Sequence, residues 1–266
     1  MEACGSRSLE WHVCRLTPLG FGSLRARLDT ALPAPQYNRN WMLRSLLSFF
    51  LLAASLFAAS DLETARDKQD RPALDKLAQQ ANAAAKPADA VSLYKAALAQ
   101  SYVAEVAIEV RDNNAARTAA ETGIKSAEKA VALQPKNAEY HRLLGTLCGQ
   151  VIPAAKLMGI KYGRCALDSV NKAIELDPKL AENYLARGVG NYYLPASFGG
   201  GVELAIKDFE KAASLNAKLA EAYLWLGVAQ RKAGRNADAR KAFQKSIELN
   251  PNRIWAKQQL DKTPAQ

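Results

Sequence analysis

At 266 residues the chain can form one or two domains, and 49% hydrophobic against 23% charged residues is the composition of a folded protein. The net charge is +10, of which residues 61–266, with 30 basic and 23 acidic residues, keep +7, a mild excess. Nucleic-acid binding would need a clustered basic face with stacking aromatics, and the only basic cluster is a short one near the C-terminus, so no nucleic acid is expected. Metal chemistry has no ligand set, since HExxH, paired CxxC and Asp-rich calcium loops are all absent from the sequence.

Residues 1–60 differ in kind from the rest: they hold six Arg, no Lys and three acids, against nineteen Lys, eleven Arg and twenty-three acids in the remainder. Met42-Leu-Arg precedes an apolar run from Leu46 to Ala59, fourteen residues interrupted only by serines and too short to span a bilayer. With small residues at Ala58 and Ser60, residues 42–60 read as a secretory signal peptide cleaved before Asp61, and the expected location is the periplasm or the cell exterior. Residues 1–41 read as an over-extended gene start, an Arg-rich organellar transit peptide being the rival. No Cys follows the cleavage site, so a lipid anchor is not indicated. The mature chain keeps Cys148 and Cys165. Their spacing fits no metal site, and two readings stay open: a disulfide between facing helices, or two buried small apolar side chains.

Residues 61–266 are written for helices and repeat themselves. KNAEYHRLLG from Lys136, KLAENYLARG from Lys179 and KLAEAYLWLG from Lys218 each follow a helix ending, AVALQPK, AIELDPK and AASLNAK, and SIELNPN closes the series. In the last unit, 220–253, Tyr223, Leu226, Gly227, Gly234, Ala239, Phe243 and Pro251 hold fixed positions of a 34-residue helix-turn-helix. Gly227 and Ala239 are small where helices approach closely, Tyr223 and Phe243 fill the gaps, and Pro251 stops the second helix. Units 181–219 and 138–180 carry the same residue types but are stretched between their two helices, by VIPAAKLMGIKYG in one and around PASFGGG in the other. Two weaker units, 71–103 and 104–137, precede them in an Ala-rich stretch. IWAKQQLDK, over 254–262, reads as the polar cap that such arrays need.

This pattern resembles the tetratricopeptide repeat (TPR) superfamily over residues 71–253, and within it the chain is similar to secreted bacterial TPR proteins without assigned chemistry. A looser similarity runs to the eukaryotic regulators of microtubule dynamics, whose repeats are also stretched between helices; the leader argues against carrying a cytoskeletal role over. The resemblance implies an all-α fold, a solenoid with a C-terminal capping helix, whose first helices line a concave groove for an extended peptide or an amphipathic helix. Carried over position by position, the partner-binding candidates are Arg142, Thr146, Leu185, Val189, Tyr192, Tyr193, Leu224, Val228 and Arg231. Leu185, Val189, Leu224 and Val228 are expected to be partly exposed there. The chaperone-type carboxylate clamp is not supported, because Thr146, Val189 and Val228 stand where Asn is expected.

Catalytic readings fail by inventory. The mature chain has one histidine, His141, at a repeat position where a core aromatic packs, so no triad can be assembled without it. Gly199-Gly200-Gly201 lacks the following Lys-Ser and the preceding strand of a phosphate loop, and reads as a turn into the next helix. No cofactor is expected. Arg231, Lys232, Arg235, Arg240, Lys241 and Lys245 read as a solvated face, with weak contact to an anionic surface as the minor alternative. The sequence thus points to an exported, non-catalytic scaffold for a protein or peptide partner. The alternative is a periplasmic small-molecule binding or transport accessory protein whose loops roof a pocket.

Overall fold

The structure, a computed structural model, describes residues 61–154 and 159–265, and these contain helices and turns and no strand. The leader, with its signal-like segment, lies outside the described residues. Residues 61–67 are helical. There follow α1 (Arg71–Ala84), α2 (Ala90–Glu109), α3 (Asn113–Leu133), α4 (Ala138–Ala154), α5 (Gly159–Leu176), α6 (Ala181–Tyr193), α7 (Val202–Leu215), α8 (Ala220–Lys232), α9 (Asn236–Leu249) and α10 (Ile254–Asp261).

The recurrent endings are local devices. In DPK, NAK and NPN the Asx carboxyl or amide oxygen accepts the amide of the residue two further on, Lys179, Lys218 and Asn252, at 3.0, 3.0 and 3.2 Å. This bends the chain from one helix into the next without a conventional cap. Position four of two units completes the same turn from above: His141 Nε2 lies 2.9 Å from the Pro135 carbonyl, and the Tyr184 hydroxyl donates to the Pro178 carbonyl at 3.1 Å. His141 is therefore half-exposed, not the core residue expected.

Three turns share a second geometry. Gln69, Arg111 and Gly234 all have positive φ, and the amide after each, of Asp70, Asp112 and Arg235, reaches back five residues to the carbonyl of Ala65, Ala107 or Gln230 at 2.8–2.9 Å. That is the left-handed close by which a first helix passes into its second. It pairs 61–67 with α1, α2 with α3, and α8 with α9. The division expected between residues 103 and 104 falls inside α2, which runs unbroken from Ala90 to Glu109. Aligning Arg111 with Gly234 moves that unit's first position from Ala104 to Ala97. Seven residues are about two helical turns, so the apolar face is unchanged by the slip and the periodicity of the sequence cannot register it.

Neighbouring helices pack in sequence, and α2, α4, α6 and α8 also touch one after another, which lines them up along the inner side of a helical solenoid. The core falls into two parts. One, from Leu62 to Ala166, is built largely of Ala and Leu on residues 61–67 and α1 to α5. The other, on α6 to α10, centres on Phe209 and Phe243. An added Cβ at Gly188 would lie 2.5 Å from the Phe209 ring, and one at Gly227 would lie 2.6 Å from the Phe243 ring, so each glycine is the notch its phenylalanine fills. Cys148 and Cys165 form a disulfide, Cα–Cα 6.0 Å, joining α4 to α5. The insertion they straddle is mostly helix: its first residues lengthen α4 through Pro153 and its last open α5, while 155–158 lie outside the described residues.

Candidate functional site

The expected groove residues sit on the inner helices, but several are already engaged. On α4, Arg142 is bound to Glu139, with Nε donating to Oε2 at 2.9 Å and Nη2 to Oε1, and the Tyr94 hydroxyl donates to the same carboxylate at 2.6 Å. Burial pushes the Glu139 carboxyl up, yet Arg142 and Tyr94 together hold it below the usual range. Burial raises the Tyr94 phenol above its ordinary value. Thr146 donates to the Arg142 carbonyl at 3.0 Å. Leu185 and Val189 on α6 are half-buried against the cluster of Ala205, Ile206 and Phe209.

Leu224 and Val228 depart furthest from expectation: both are buried, at 0% and 5% exposure. The cause is the cap. Trp255, Ala256 and Leu260 of α10 pack over them together with Phe243. Arg231 is tied to the same helix, donating to the Gln259 carbonyl at 3.0 Å, the Gln259 side-chain oxygen at 2.5 Å and the Thr263 hydroxyl at 3.2 Å. Thr263 is itself buried and its carbonyl accepts from Arg240 at 2.7 Å, so structure extends past α10 into the tail. Most of the basic run stays on the solvated surface, where its side chains make contacts within the molecule. Lys232 donates to the Tyr192 carbonyl at 2.9 Å, Arg235 pairs with Glu203 at 2.8 Å, Lys241 with Asp238 at 3.7 Å and Lys245 with Glu248 at 2.8 Å.

What remains presented on the inner side is aromatic. Tyr192 meets Tyr193 edge-on at 5.0 Å and Trp225 at 5.8 Å, and Trp225 lies 5.3 Å from Trp255. All four residues are only partly buried. The Lys232 ammonium sits 4.1 Å over the Tyr192 ring, a cation–π contact that fixes the ring at the edge of the cluster. Burial raises both tyrosine phenols above their ordinary value, so they remain neutral hydrogen-bonding groups at physiological pH.

The loop after α6 is closed by backbone hydrogen bonds of its own. Ala196–Phe198 form a 3-10 turn, Gly199 and Gly201 adopt positive φ, and the Gly201 amide donates to the Asn191 carbonyl at 2.9 Å. Below it Asn191 Nδ2 and the Arg187 guanidinium bind the buried Asp208 carboxylate. The loop raises Phe198 into solvent, 75% exposed, with Leu204 exposed on the next helix.

Sequence reasoning missed a second feature altogether. Arg253, in the turn before α10, has only 1% of its side chain exposed. Its Nη2 bonds Glu105 at 2.7 Å and also Glu109, its Nε bonds Glu221 at 2.8 Å, and Asp67 lies 3.8 Å away. Arg66 completes the group, pairing with Asp67 at 2.7 Å and lying 3.7 Å from Glu221. The available signal was the pair Glu105 and Glu109, two acids four residues apart in the otherwise apolar last two turns of α2. Among the described residues no group of three or more His, Cys, Asp or Glu is placed to hold a metal ion. No described helix is long and apolar enough to cross a membrane.

Residues 56–194 match the family described as Regulator of microtubule dynamics protein 1-3, and residues 220–253 match the tetratricopeptide repeat. No curated protein matches the chain in sequence. Among solved structures, the thermophilic TPR protein TTC0263 of Thermus thermophilus is similar at 18% identity over 79% of this chain and 94% of its own, with a TM-score of 0.52. The pilF protein of Pseudomonas aeruginosa, at 18% identity, covers 61% of this chain and 68% of its own, TM-score 0.43. YrrB, described as a TPR protein with an unusual peptide-binding site, is 18% identical over 77% and 87%, TM-score 0.38. The first of these carries the fold, a TPR solenoid. With one family profile spanning more than half of its length and the repeat itself closing the array, this chain belongs to the regulator of microtubule dynamics protein 1-3 family.

Proposed function

We propose that this protein is an exported, non-catalytic scaffold that receives a protein or peptide partner on the inner side of its solenoid. TPR solenoids typically serve as protein-interaction scaffolds rather than as catalysts, and the repeat matched at 220–253 supports that class. The observation that carries the site is the partly exposed run of rings Tyr192, Tyr193, Trp225 and Trp255. Amphipathic aromatics at half burial are the side chains that anchor partners, giving large contact area for little conformational entropy. Leu185 and Val189 extend that apolar surface along α6, and Arg142 and Thr146 border it on α4. Leu224, Val228 and Arg231 then serve to seat the cap.

The Cys148–Cys165 disulfide and the signal-like leader support export, since structural disulfides persist in oxidising compartments. The family's name refers to microtubule regulation, and an exported chain meets no microtubule, so only the scaffold role is taken over. A photo-reactive residue replacing Tyr192, compared with one replacing the outer-face Lys207, tests the site in the producing cells. A discrete adduct from position 192 and none from 207 is expected, and indistinguishable adduct patterns would sink the inner-face assignment. Sequencing the amino terminus of the exported protein tests localisation, with a start near Asp61 expected.

A further inference from the structure

The two parts of the core meet in two places of very different character. Along the spine, α4 and α5 pack against α6. At the opposite side, residues 61–69 and the C-terminal end of α2 meet the start of α8, the turn before α10, and α10 itself. This second contact closes the array on itself through a set of hydrogen bonds and ion pairs. Arg253 reaches Glu109 and Glu105 across 144 and 148 residues of sequence, Asp67 at 3.8 Å, and the Arg66 carbonyl, 187 residues away, at 3.5 Å. Asn250 donates to Asp67 at 2.7 Å, and Gln258 donates to Gln69 at 3.1 Å. Each hydrophobic cluster among the described residues lies wholly on one side of this closure.

We propose that the cluster around Arg253 is a latch, holding the first and last repeats together and letting them part as two intact halves about the α5–α6 junction. Opening leaves each hydrophobic cluster intact, because each lies on one side of the closure. It exchanges ion pairs for hydration, which is the exchange that buried ion pairs make most evenly. The open form would expose the inner ends of α2 and α8 and the aromatic cluster beside them, including Tyr193, whose phenol lies in the field of Glu109. The inference does not depend on any partner being bound.

The charge balance predicts how the latch responds to pH. Its carboxylates are Asp67 from residues 61–67, Glu105 and Glu109 from α2, and Glu221 from α8; its cations are Arg66 and Arg253. Tyr102 of α2, Tyr193 of α6 and, through Tyr102, Arg142 of α4 face the same group. Four carboxylates confront two guanidiniums, so burial pushes the Glu105 carboxyl up to about 7 and raises Glu109, whereas the two arginines outweigh burial at Glu221 and lower it. A carboxyl raised in the closed form favours closure while it keeps its proton, and that advantage is lost as pH rises through about 7. The latch therefore loosens as pH rises from the ordinary carboxylate range to about 7.

Spin labels at Lys68→Cys and Lys257→Cys, both exposed and on opposite sides of the closure, read the gap; a pair at Lys207→Cys and Lys257→Cys, within one half, is the control. Arg253→Met removes the guanidinium while keeping most of the side-chain volume. The expected result is a longer 68–257 population, displaced by about the width of a helix, roughly 10 Å, with the control distance unchanged. An unchanged 68–257 distance in the folded variant would overturn the proposal. If Arg253→Met does not fold, the chain with Arg253 intact decides: its long population must grow between about pH 5 and about pH 8.5, and a fixed distribution across that range overturns the latch equally.

Discussion

The two halves of the solenoid solve the same packing problem with different side chains. In α6 to α9 each repeat sets a glycine against a phenylalanine ring, Gly188 with Phe209 and Gly227 with Phe243. In α1 to α3 the matching places are filled by Ala104, Ala116 and Ala120, all wholly buried, and the helices approach on small side chains alone. A ring seated in a notch fixes the register of two helices, because no neighbouring position offers the same notch. Alanine against alanine fixes distance and leaves register to the turns at Gln69 and Arg111.

The sharpest way to break this contrast is to empty the notch. Phe243→Ala removes a fully buried ring from between α8 and α9 and is expected to destabilise the protein by about 3–5 kcal/mol, read by denaturant melting. Loss should centre on the C-terminal half, so hydrogen exchange in α8 to α10 should accelerate while α2 and α3 stay protected. Equal loss of protection in both halves would show that the two cores unfold as one.

Reduction of Cys148–Cys165 probes the other half. The disulfide spans 17 residues, a loop whose closure restricts the unfolded chain by about 3 kcal/mol. Reduced protein should melt earlier, with the earliest exchange in α4 and α5 rather than in α8 and α9. The same treatment leaves the glycine–phenylalanine notches intact, so it separates the two sources of order.

How much was legible in the sequence follows from the same contrast. The last two repeats could be placed residue by residue because Gly188, Phe209, Gly227 and Phe243 are rarer types at fixed spacing from Ala205 and Ala239. The first repeats could not, because in an Ala-rich helix a shift of seven residues keeps the apolar face, and α2 was divided where the structure shows one helix. The helices that carry the expected residues were legible, but not which of those residues the fold leaves partly exposed. A position rule cannot show that α10 covers Leu224 and Val228, since that depends on how a cap packs. Nor can it show Arg253 among Glu105, Glu109 and Glu221, a contact made by closure of the whole array.

Glycine-to-alanine exchanges sharpen the comparison at smaller cost. At Gly227 the new methyl meets the Phe243 ring at 2.6 Å, and a rigid ring in a full core has nowhere to move, so Gly227→Ala should destabilise by about 1–3 kcal/mol. At Gly123 the clash is with the end of the Leu147 side chain, 2.7 Å away, which can rotate aside. Its cost should be smaller. At Gly149 there is open space, and there alanine should stabilise α4 by about 0.5–1 kcal/mol through helix propensity alone. A common cost at all three positions would remove the glycine–phenylalanine notch as the feature that distinguishes the C-terminal half.

The smallest effect is expected where the fold shows most apolar surface. Phe198 is 75% exposed at the tip of the loop after α6, so Phe198→Ser removes almost no buried area and should leave stability within about 0.5 kcal/mol. Two residues further on, the same loop is unforgiving: a Cβ at Gly200 would come within 2.4 Å of the Leu194 carbonyl oxygen, backbone that cannot yield without reshaping the turn. Gly200→Ala should therefore disturb the loop while Phe198→Ser leaves it in place, a difference readable in the exchange of the Gly201 amide that donates to Asn191. The pair separates the loop's shape from the ring it displays. A loop held this firmly beneath a ring that adds nothing to folding makes Phe198→Ser the substitution that can test that surface for contacts without first weakening the solenoid.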